Sequence, residues 1–191
     1  MAKKTHLMID LETLGVRPDA AVVEIGACLF DPMGDGASKT FSVCLDVSRQ
    51  GGSVDAGTID FWLKQPEASR KHLADASKLP TLEALEAFEA FMQPTGAITG
   101  VWSHGPAFDI TILQSLYNRA RRPVPWNYRH IRDTRTIMEA VKLLGLPEPQ
   151  WPSGGTTHSG IDDAVNQAVW VQRAYWLILT SGEALGEDPL A

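Results

Sequence analysis

The sequence predicts an α/β fold in which a mixed β-sheet is flanked by helices. Three alternating apolar segments follow one another at the start of the chain, and helical periodicity then alternates with further short apolar segments. Turn formers separate these segments, but no linker splits the chain of 191 residues. One domain over residues 1–180 is therefore expected, followed by a C-terminal tail over 181–191.

The three leading strands are predicted from period-two alternation of apolar residues. Turn formers fill 31–36, so the second and third strands should form an antiparallel hairpin. Cys28 and Cys44 lie in these two strands, and we interpret them as buried thiols rather than a disulfide or a metal pair. The predicted ranges of the three strands are 5–10, 20–30 and 40–47.

The remaining elements are predicted from changes of period along the chain. Helical spacing begins near Thr58, and a second short helix starts at Pro66. Longer predicted helices cover 82–92, 108–120, 134–144 and 163–180, and predicted strands cover 97–102 and 130–133. Three strands followed by alternating helices and strands indicate a mixed sheet covered by helices.

Charge and hydropathy limit the partners of the protein. The formal net charge is −6, whereas proteins that hold nucleic acid by a broad electrostatic surface are usually basic. This argument weakens if several acids gather around metal ions, because bound cations reverse the local field. No leader or membrane-length apolar run is visible, so we expect a cytoplasmic protein with no membrane partner.

Two carboxylates end the first strand. Asp10 and Glu12 are two residues apart, so in a regular strand both side chains leave on the same face. They would repel each other unless a cation lay between them, and such hard oxygen ligands suit Mg²⁺ or Mn²⁺. On this pair alone, two solvated acids at a strand end are the more ordinary interpretation.

Two further acids and a histidine stand at similar junctions. Asp109 follows a Gly-Pro turn at the start of a helix, where it could simply interact with the helix dipole. Asp163 begins the closing helix five residues after His158, which could be an ordinary surface histidine. Together, however, these residues lie where apolar elements meet turns, which is where sites concentrate in such folds.

The ordered motifs resemble the DnaQ-like 3′→5′ exonucleases of the ribonuclease H-like superfamily, in the DEDDh branch. Residues 9–13, 108–109 and 158–163 match its three motifs, and the resemblance covers about 5–180. The chain is also similar to the small RNase AS-like exonucleases of bacteria and phages. The family pattern suggests asparagine where His104 stands and alanine where Gly160 stands.

The resemblance implies a site with two Mg²⁺ or Mn²⁺ ions and a nucleic acid partner with a free 3′ end. Asp10, Glu12 and Asp163 would hold one ion, Asp10 would bridge to the second, and Asp109 would support the second through water. His158 would be the general base. The products would be nucleoside 5′-monophosphates. The substrate-binding residues implied or suggested are Thr13, Leu14, Phe108 and His104.

Other residues have weaker assignments. Trp151 could stack a base, although packing is the more common role of such a tryptophan. The densest basic group could meet phosphates, but a basic helix C-terminus explains 119–122 equally simply. This group consists of Arg119, Arg121, Arg122, Arg129, Arg132 and Arg135. A homodimer is left open by the six tryptophans.

Several alternatives stay open at this point. RNA is favoured over DNA as substrate, but an exodeoxyribonuclease, a proofreading subunit that needs a polymerase partner and a ribonuclease H-like endonuclease are also compatible with the motifs. A catalytically silent nucleic-acid-binding domain is the alternative from another functional class. The presence of all five catalytic residue types argues against it.

Overall fold

The computed structural model describes residues 5–93, 97–152, 155 and 158–184. Its centre is a six-stranded sheet in the order β4-β3-β2-β1-β5-β6. Strand β2 pairs antiparallel with both β1 and β3, whereas β1, β5 and β6 run parallel. The strands are β1 (Thr5–Thr13), β2 (Val22–Phe30), β3 (Ala37–Leu45), β4 (Lys78–Leu79), β5 (Ile98–Ser103) and β6 (Ile131–Asp133).

Six α-helices accompany the sheet in the described part of the chain. Asp55 caps the first of them by accepting a hydrogen bond from the Thr58 amide at 3.0 Å. Asp133 caps the fifth in the same way, through the Arg135 amide at 3.0 Å. The helices are α1 (Ala56–Lys64), α2 (Glu67–Asp75), α3 (Thr81–Met92), α4 (Asp109–Arg119), α5 (Thr134–Leu143) and α6 (Gly160–Ala184).

Alternation along β1 divides the core into two layers. Leu7, Ile9 and Leu11 pack with α3 and α4 on one face of the sheet. Met8 packs with α5 and α6 on the opposite face. Because Asp10 and Glu12 continue the series of Met8, their side chains leave on the face covered by α6. None of the described helices is both long and apolar enough to cross a bilayer.

A close backbone contact fixes the start of α6 over the sheet. A Cβ atom added to Gly26 in β2 would lie 1.9 Å from the carbonyl carbon of Gly160. A Cβ on Gly160 would in turn lie 3.1 Å from the Gly26 amide nitrogen and 3.2 Å from the Asp10 carbonyl oxygen. Glycine at 160, in place of the alanine of the family pattern, therefore relieves a tight crossing.

The predicted mixed sheet, its leading hairpin and the flanking helices are confirmed, with shifts at element ends. Strand β1 continues through Thr13 instead of leaving the sheet after Asp10, and β4 was not predicted because it has only two residues. Helix α6 begins at Gly160 and continues to Ala184, so the first four residues of the predicted tail are helical. Residues 185–191 lie outside the described residues.

Candidate active site

The end of β1 places two carboxylates on one face of the sheet, as the sequence predicts. Glu12 is 7% exposed and lies opposite Glu24 of β2, while Asp10 lies opposite Gly26. The small residue at 26 lets α6 approach Asp10 closely, so the carboxylate faces a helix rather than open solvent. The Oδ1 atom of Asp10 accepts a hydrogen bond from Nε2 of Gln167 in α6, at 2.7 Å.

Asp109 joins these residues from the other side of β1. The parallel pairing of β1 with β5 ends at Met8↔Trp102, so the two strands separate before the site. In the resulting space, the Leu11 amide donates a hydrogen bond to Oδ1 of Asp109 at 3.2 Å. Asp109 is thus held against the strand segment between Asp10 and Glu12, and it does not cap its own helix.

Asp163 and His158 reach the site from the first turn of α6 and the loop before it. Ligand-type atoms of Glu12, His158 and Asp163 lie within 4.8 Å of one another. The His158 amide donates to Oδ2 of Asp163 at 3.1 Å. His158 has φ 59°, a left-handed conformation that costs energy for a residue with a side chain. The hydrogen bond to Asp163 helps to hold that conformation.

Burial is the main reason why the pKa values of all four acids are raised. Burial raises the pKa of Asp10 well above its usual range, and the charges of Asp109, Glu12 and Asp163 add to the effect. Burial and then the charge of Glu24 raise the pKa of Glu12 to about 8. Burial also raises the pKa of Asp109 to about 7. The pKa of Asp163 is raised, again mainly by burial.

This donor set fits divalent metal ions. Buried carboxylates that repel one another are costly without a positive charge between them, and no lysine or arginine forms an ion pair with them among the described residues. Carboxylate oxygens are hard ligands of the kind that divalent cations such as Mg²⁺ and Mn²⁺ accept. The residues predicted as metal ligands therefore lie together: Asp10, Glu12, Asp109 and Asp163.

An aromatic cavity opens beside the carboxylates. It measures about 370 Å³ and is lined by Glu12, Thr13, Phe61, Phe108 and His158 among others. The Phe61 ring meets His158 edge to face at 5.1 Å between centroids, and Trp62 lies 6.0 Å from His158. Trp62 also donates from Nε1 to the Thr13 carbonyl at 2.9 Å, which ties α1 to the end of β1.

The four predicted substrate residues fall in different places. Thr13 and Phe108 line the aromatic cavity. Leu14 packs instead with Val23 and Trp62, and it lines a separate cavity of about 290 Å³. His104 lies against Trp170, 6.0 Å between ring centroids, and its Nδ1 is 2.8 Å from the Thr134 hydroxyl. His104 is thus placed beyond β5, away from the residues of the aromatic cavity.

Three residues around Asp10 were not predicted from the sequence: Gln167, Glu24 and Gly26. Gln167 orients Asp10 and is 4% exposed, and its Oε1 atom is buried with no partner among the described residues. Glu24 is fully buried, accepting from the Gly160 amide at 3.1 Å and from the Ser42 hydroxyl at 2.6 Å. A signal existed for Glu24 and Gly26, because they interrupt an otherwise apolar strand. Gln167 gave no such signal.

Comparison with known sequences gives a consistent result. Residues 5–176 match the family model described as the 3′-5′ exoribonuclease Rv2179c-like domain. A curated relative from Enterobacteria phage T4, named exodeoxyribonuclease, is 24% identical over 218 residues. That alignment covers 96% of this chain and 96% of the phage protein.

Solved structures share the fold at low sequence identity. The nuclease domain of 3′hExo, a DEDDh family member bound to rAMP, aligns with a TM-score of 0.60 at 16% identity, covering 95% of this chain and 94% of that chain. E. coli exonuclease I in complex with a 5cy-dT13 oligonucleotide aligns with a TM-score of 0.66 at 17% identity. That alignment covers 96% of this chain but 42% of the exonuclease I chain.

The fold of these neighbours and the family match over most of the chain agree with the arrangement of acids at the end of β1. The fold shared with the DEDDh exonucleases confirms the resemblance found in the three motifs. The chain belongs to the Rv2179c-like 3′-5′ exoribonuclease domain family and is a DnaQ-like 3′→5′ exonuclease that acts on nucleic acid.

Proposed function

We propose that the protein is a two-metal 3′→5′ exonuclease that removes nucleoside 5′-monophosphates from RNA or from single-stranded ends. The observation that carries this proposal is the cluster of Glu12, Asp163 and His158 beside the aromatic cavity, with Asp10 and Asp109 close enough for their charges to interact with that cluster. The cavity, about 370 Å³, has the size of small-molecule sites and suits one terminal nucleoside.

Asp10, Glu12, Asp109 and Asp163 would hold two Mg²⁺ or Mn²⁺ ions. When bound, such a pair supplies charge that stabilises the attacking and the leaving oxygen of an in-line displacement at phosphorus. Gln167 donates to one oxygen of Asp10 and leaves the other available for a cation. Gln167 thus acts on the reaction through Asp10 and is a positioning residue.

His158 would take the proton from the attacking water. Its ring packs on one side against Phe61 and Trp62, which restrict its rotation, and it faces Glu12 and Asp163. A general base must lie within hydrogen-bond reach of the water that it deprotonates, and this position borders the carboxylates that would hold the metal ions beside the scissile phosphate. The leaving group would be the 3′-hydroxyl of the shortened strand.

Phe61 and Phe108 supply apolar walls for the terminal base. Phe61 is 41% exposed although it is a large aromatic residue, so a base can cover it. Stacking on such rings gives grip that depends little on base identity. A strand without a free end would have to pass a nucleoside-sized cavity, and we therefore expect the enzyme to require a 3′ terminus.

The decisive experiment compares a labelled linear oligonucleotide with its ligated circle and with a 3′-phosphorylated copy, each with Mn²⁺. We expect stepwise shortening of the linear strand, slow reaction of the phosphorylated strand and no reaction of the circle. Cleavage of the circle at a rate similar to that of the linear strand would support an endonuclease instead. Absence of both metal binding and hydrolysis would support a silent binding domain.

The preference for RNA is tested by running matched RNA and DNA strands in the same assay. The family description favours RNA, whereas the T4 relative is named exodeoxyribonuclease and favours DNA as the second candidate. We place the activity in the cytoplasm of a bacterial or phage-infected cell, because that relative is a phage protein. We also propose that the protein is a homodimer. Light scattering that gave the mass of a monomer at every protein concentration would exclude this state.

A further inference from the structure

Three side chains form a strip near the ends of β5 and β6, whereas the aromatic cavity lies near the end of β1. Arg135 follows β6, His104 follows β5, and Trp151 lies in the segment that connects α5 with α6. His104 is 6.5 Å from Trp151 between ring centroids, and its Nδ1 is bound to Thr134, the neighbour of Arg135. We refer to Arg135, His104 and Trp151 as the upstream strip.

Strand order places the metal-binding acids between the upstream strip and the aromatic cavity. Strands β1, β5 and β6 are parallel, so their carboxyl ends lie at one edge of the sheet in that order. Trp62, which lines the aromatic cavity, packs on Val23 of β2, on the other side of β1. A strand whose last nucleoside fills the cavity must therefore leave the carboxylates toward β5 and β6.

Arg135 has the features of a phosphate-binding residue. Its guanidinium lies against the turn before Asp109, where a Cβ on Gly105 would come within 2.7 Å of Nη1. Gly105 has φ 108°, so the turn both requires glycine and leaves room for the guanidinium. Arg135 is exposed and forms no ion pair with a described residue.

Trp151 has the features of a stacking platform. It is 47% exposed, and Trp170 supports it edge to face at 5.1 Å between centroids. Trp170 is itself buried and donates from Nε1 to the Pro149 carbonyl at 2.9 Å, which fixes the support. Trp170 lies seven residues after Asp163 in α6, about 10 Å along the helix axis. Trp151 is thus near the carboxylates without contacting them.

We propose that the upstream strip binds the nucleotides on the 5′ side of the scissile phosphate, with Arg135 contacting a phosphate and Trp151 stacking a base. This inference rests on the proposed exonuclease function and adds a second binding site to it. The formal net charge of −6 makes such a localised contact important, because an acidic protein attracts a nucleic acid strand weakly at long range.

The test uses two substrates of different length. One is a single-stranded oligonucleotide with a free 3′ end, and the other is the p-nitrophenyl ester of a nucleoside 5′-monophosphate, which has no upstream strand. The variants are Trp151→Leu, Trp151→Phe and Arg135→Gln. Matched controls are Trp176→Leu, another exposed tryptophan located six residues beyond Trp170, and Arg49→Gln, an exposed arginine in the turn after β3.

We expect Trp151→Leu to raise KM for the oligonucleotide roughly 5- to 100-fold, with Trp151→Phe close to wild type. Arg135→Gln should weaken oligonucleotide binding and lower the slope of log affinity against log salt by about 0.7. Turnover of the ester should not change in any variant, and both controls should resemble wild type. Thermal melts of each variant check that the fold is intact.

The two proposals fail in distinguishable ways. If wild-type protein hydrolyses neither substrate, the exonuclease proposal is wrong. If it hydrolyses both, but Trp151→Leu and Arg135→Gln leave the oligonucleotide KM unchanged, the upstream strip does not bind the strand. Equal loss on both substrates would also overturn the inference, since Trp151 would then act on the catalytic centre through the loop that carries His158.

Discussion

Asp10 interacts with each of the other three acids that are proposed as metal ligands. It is held by Gln167, lies beneath the start of α6 and receives the charge of three neighbouring acids. We predict that Asp10→Ala abolishes hydrolysis at saturating Mg²⁺ while the protein still folds. Removal of one like charge should raise the melting temperature of the metal-free protein.

Activity assays and thermal melts check this prediction. Asp60→Ala is the control, because Asp60 is an exposed acid that pairs with Lys64 on the surface of α1. The control should keep wild-type activity and metal affinity. Turnover above a few per cent of wild type in Asp10→Ala would rule out Asp10 as the bridge between two ions.

A variant of His158 tests whether proton transfer can be separated from metal binding. We predict that His158→Ala lowers turnover roughly 10²- to 10⁴-fold, the usual contribution of a general base, and leaves Mn²⁺ affinity nearly intact. Calorimetric titration with Mn²⁺ and steady-state kinetics measure the two effects. If turnover and Mn²⁺ affinity were lost together, His158 would be a metal ligand. The short distances from His158 to Glu12 and Asp163 make this the main alternative.

Gln167 provides a test of how Asp10 is oriented. Replacing a residue that orients a metal ligand typically costs roughly 10- to 100-fold in metal affinity or activity, and we expect this range for Gln167→Leu. Gln172→Leu is a matched control, since Gln172 is also buried in α6 but binds the Asp31 and Gly36 carbonyls away from the site. Equal metal affinity in Gln167→Leu and wild type would contradict the positioning role.

Helix α6 is the element that assembles the site, because it carries Asp163 and Gln167 and fixes the loop of His158. We predict that Gly26→Ala moves the start of α6 and destabilises the protein by at least the roughly 1–3 kcal/mol usual for overpacking. Denaturant unfolding measures the change, and metal titration should show weaker binding. A variant as stable as wild type would mean that the helix can shift without cost.

The sequence predicts the elements that have a strong hydrophobic periodicity. It does not predict features that depend on contacts between residues distant in the chain. Alternation along β1 predicts that Asp10 and Glu12 share a face, and helical spacing predicts α3. The same reasoning ended β1 too early, because a charged residue at a strand end resembles a turn until its partner Glu24 is known. Gln167 was missed because one glutamine in a helix gives no indication of what it touches.

The order of the motifs predicts which acids lie together. It does not predict which cavity each substrate-binding side chain lines. Leu14 follows the first motif directly, yet the turn after β1 directs it toward Leu73 and Trp62. Phe61 was not predicted as a site residue, although it contacts His158. Both outcomes depend on how α1 packs on the sheet, which residue spacing within one segment does not determine.

The whole molecule should respond to pH through its acidic site. Raised pKa values mean that the folded metal-free protein binds protons more tightly than the unfolded chain. Its free energy of unfolding should therefore fall as pH rises from about 4 to about 8, the range between the usual carboxyl pKa and the value of Glu12. Thermal melts in EDTA across this range check the sign.

Glu12→Gln should make the free energy of unfolding less dependent on pH, because it removes the carboxyl group whose pKa is raised to about 8. Saturating Mn²⁺ should stabilise the wild-type protein most at the alkaline end, where the carboxylates are ionised and able to bind a cation. If the metal-free wild type became more stable between pH 5 and 8, mutual repulsion within the site would not control its stability.

The crossing of Gly26 and Gly160 has a consequence for the history of the chain. Glycine at position 26 is required by backbone proximity, whereas Glu12, as a proposed metal ligand, would be needed only while hydrolysis is under selection. A descendant that had lost its activity but kept its architecture would retain Gly26 and let Glu12 drift. These two positions together would therefore distinguish an inactive descendant from a working enzyme in a newly sequenced genome.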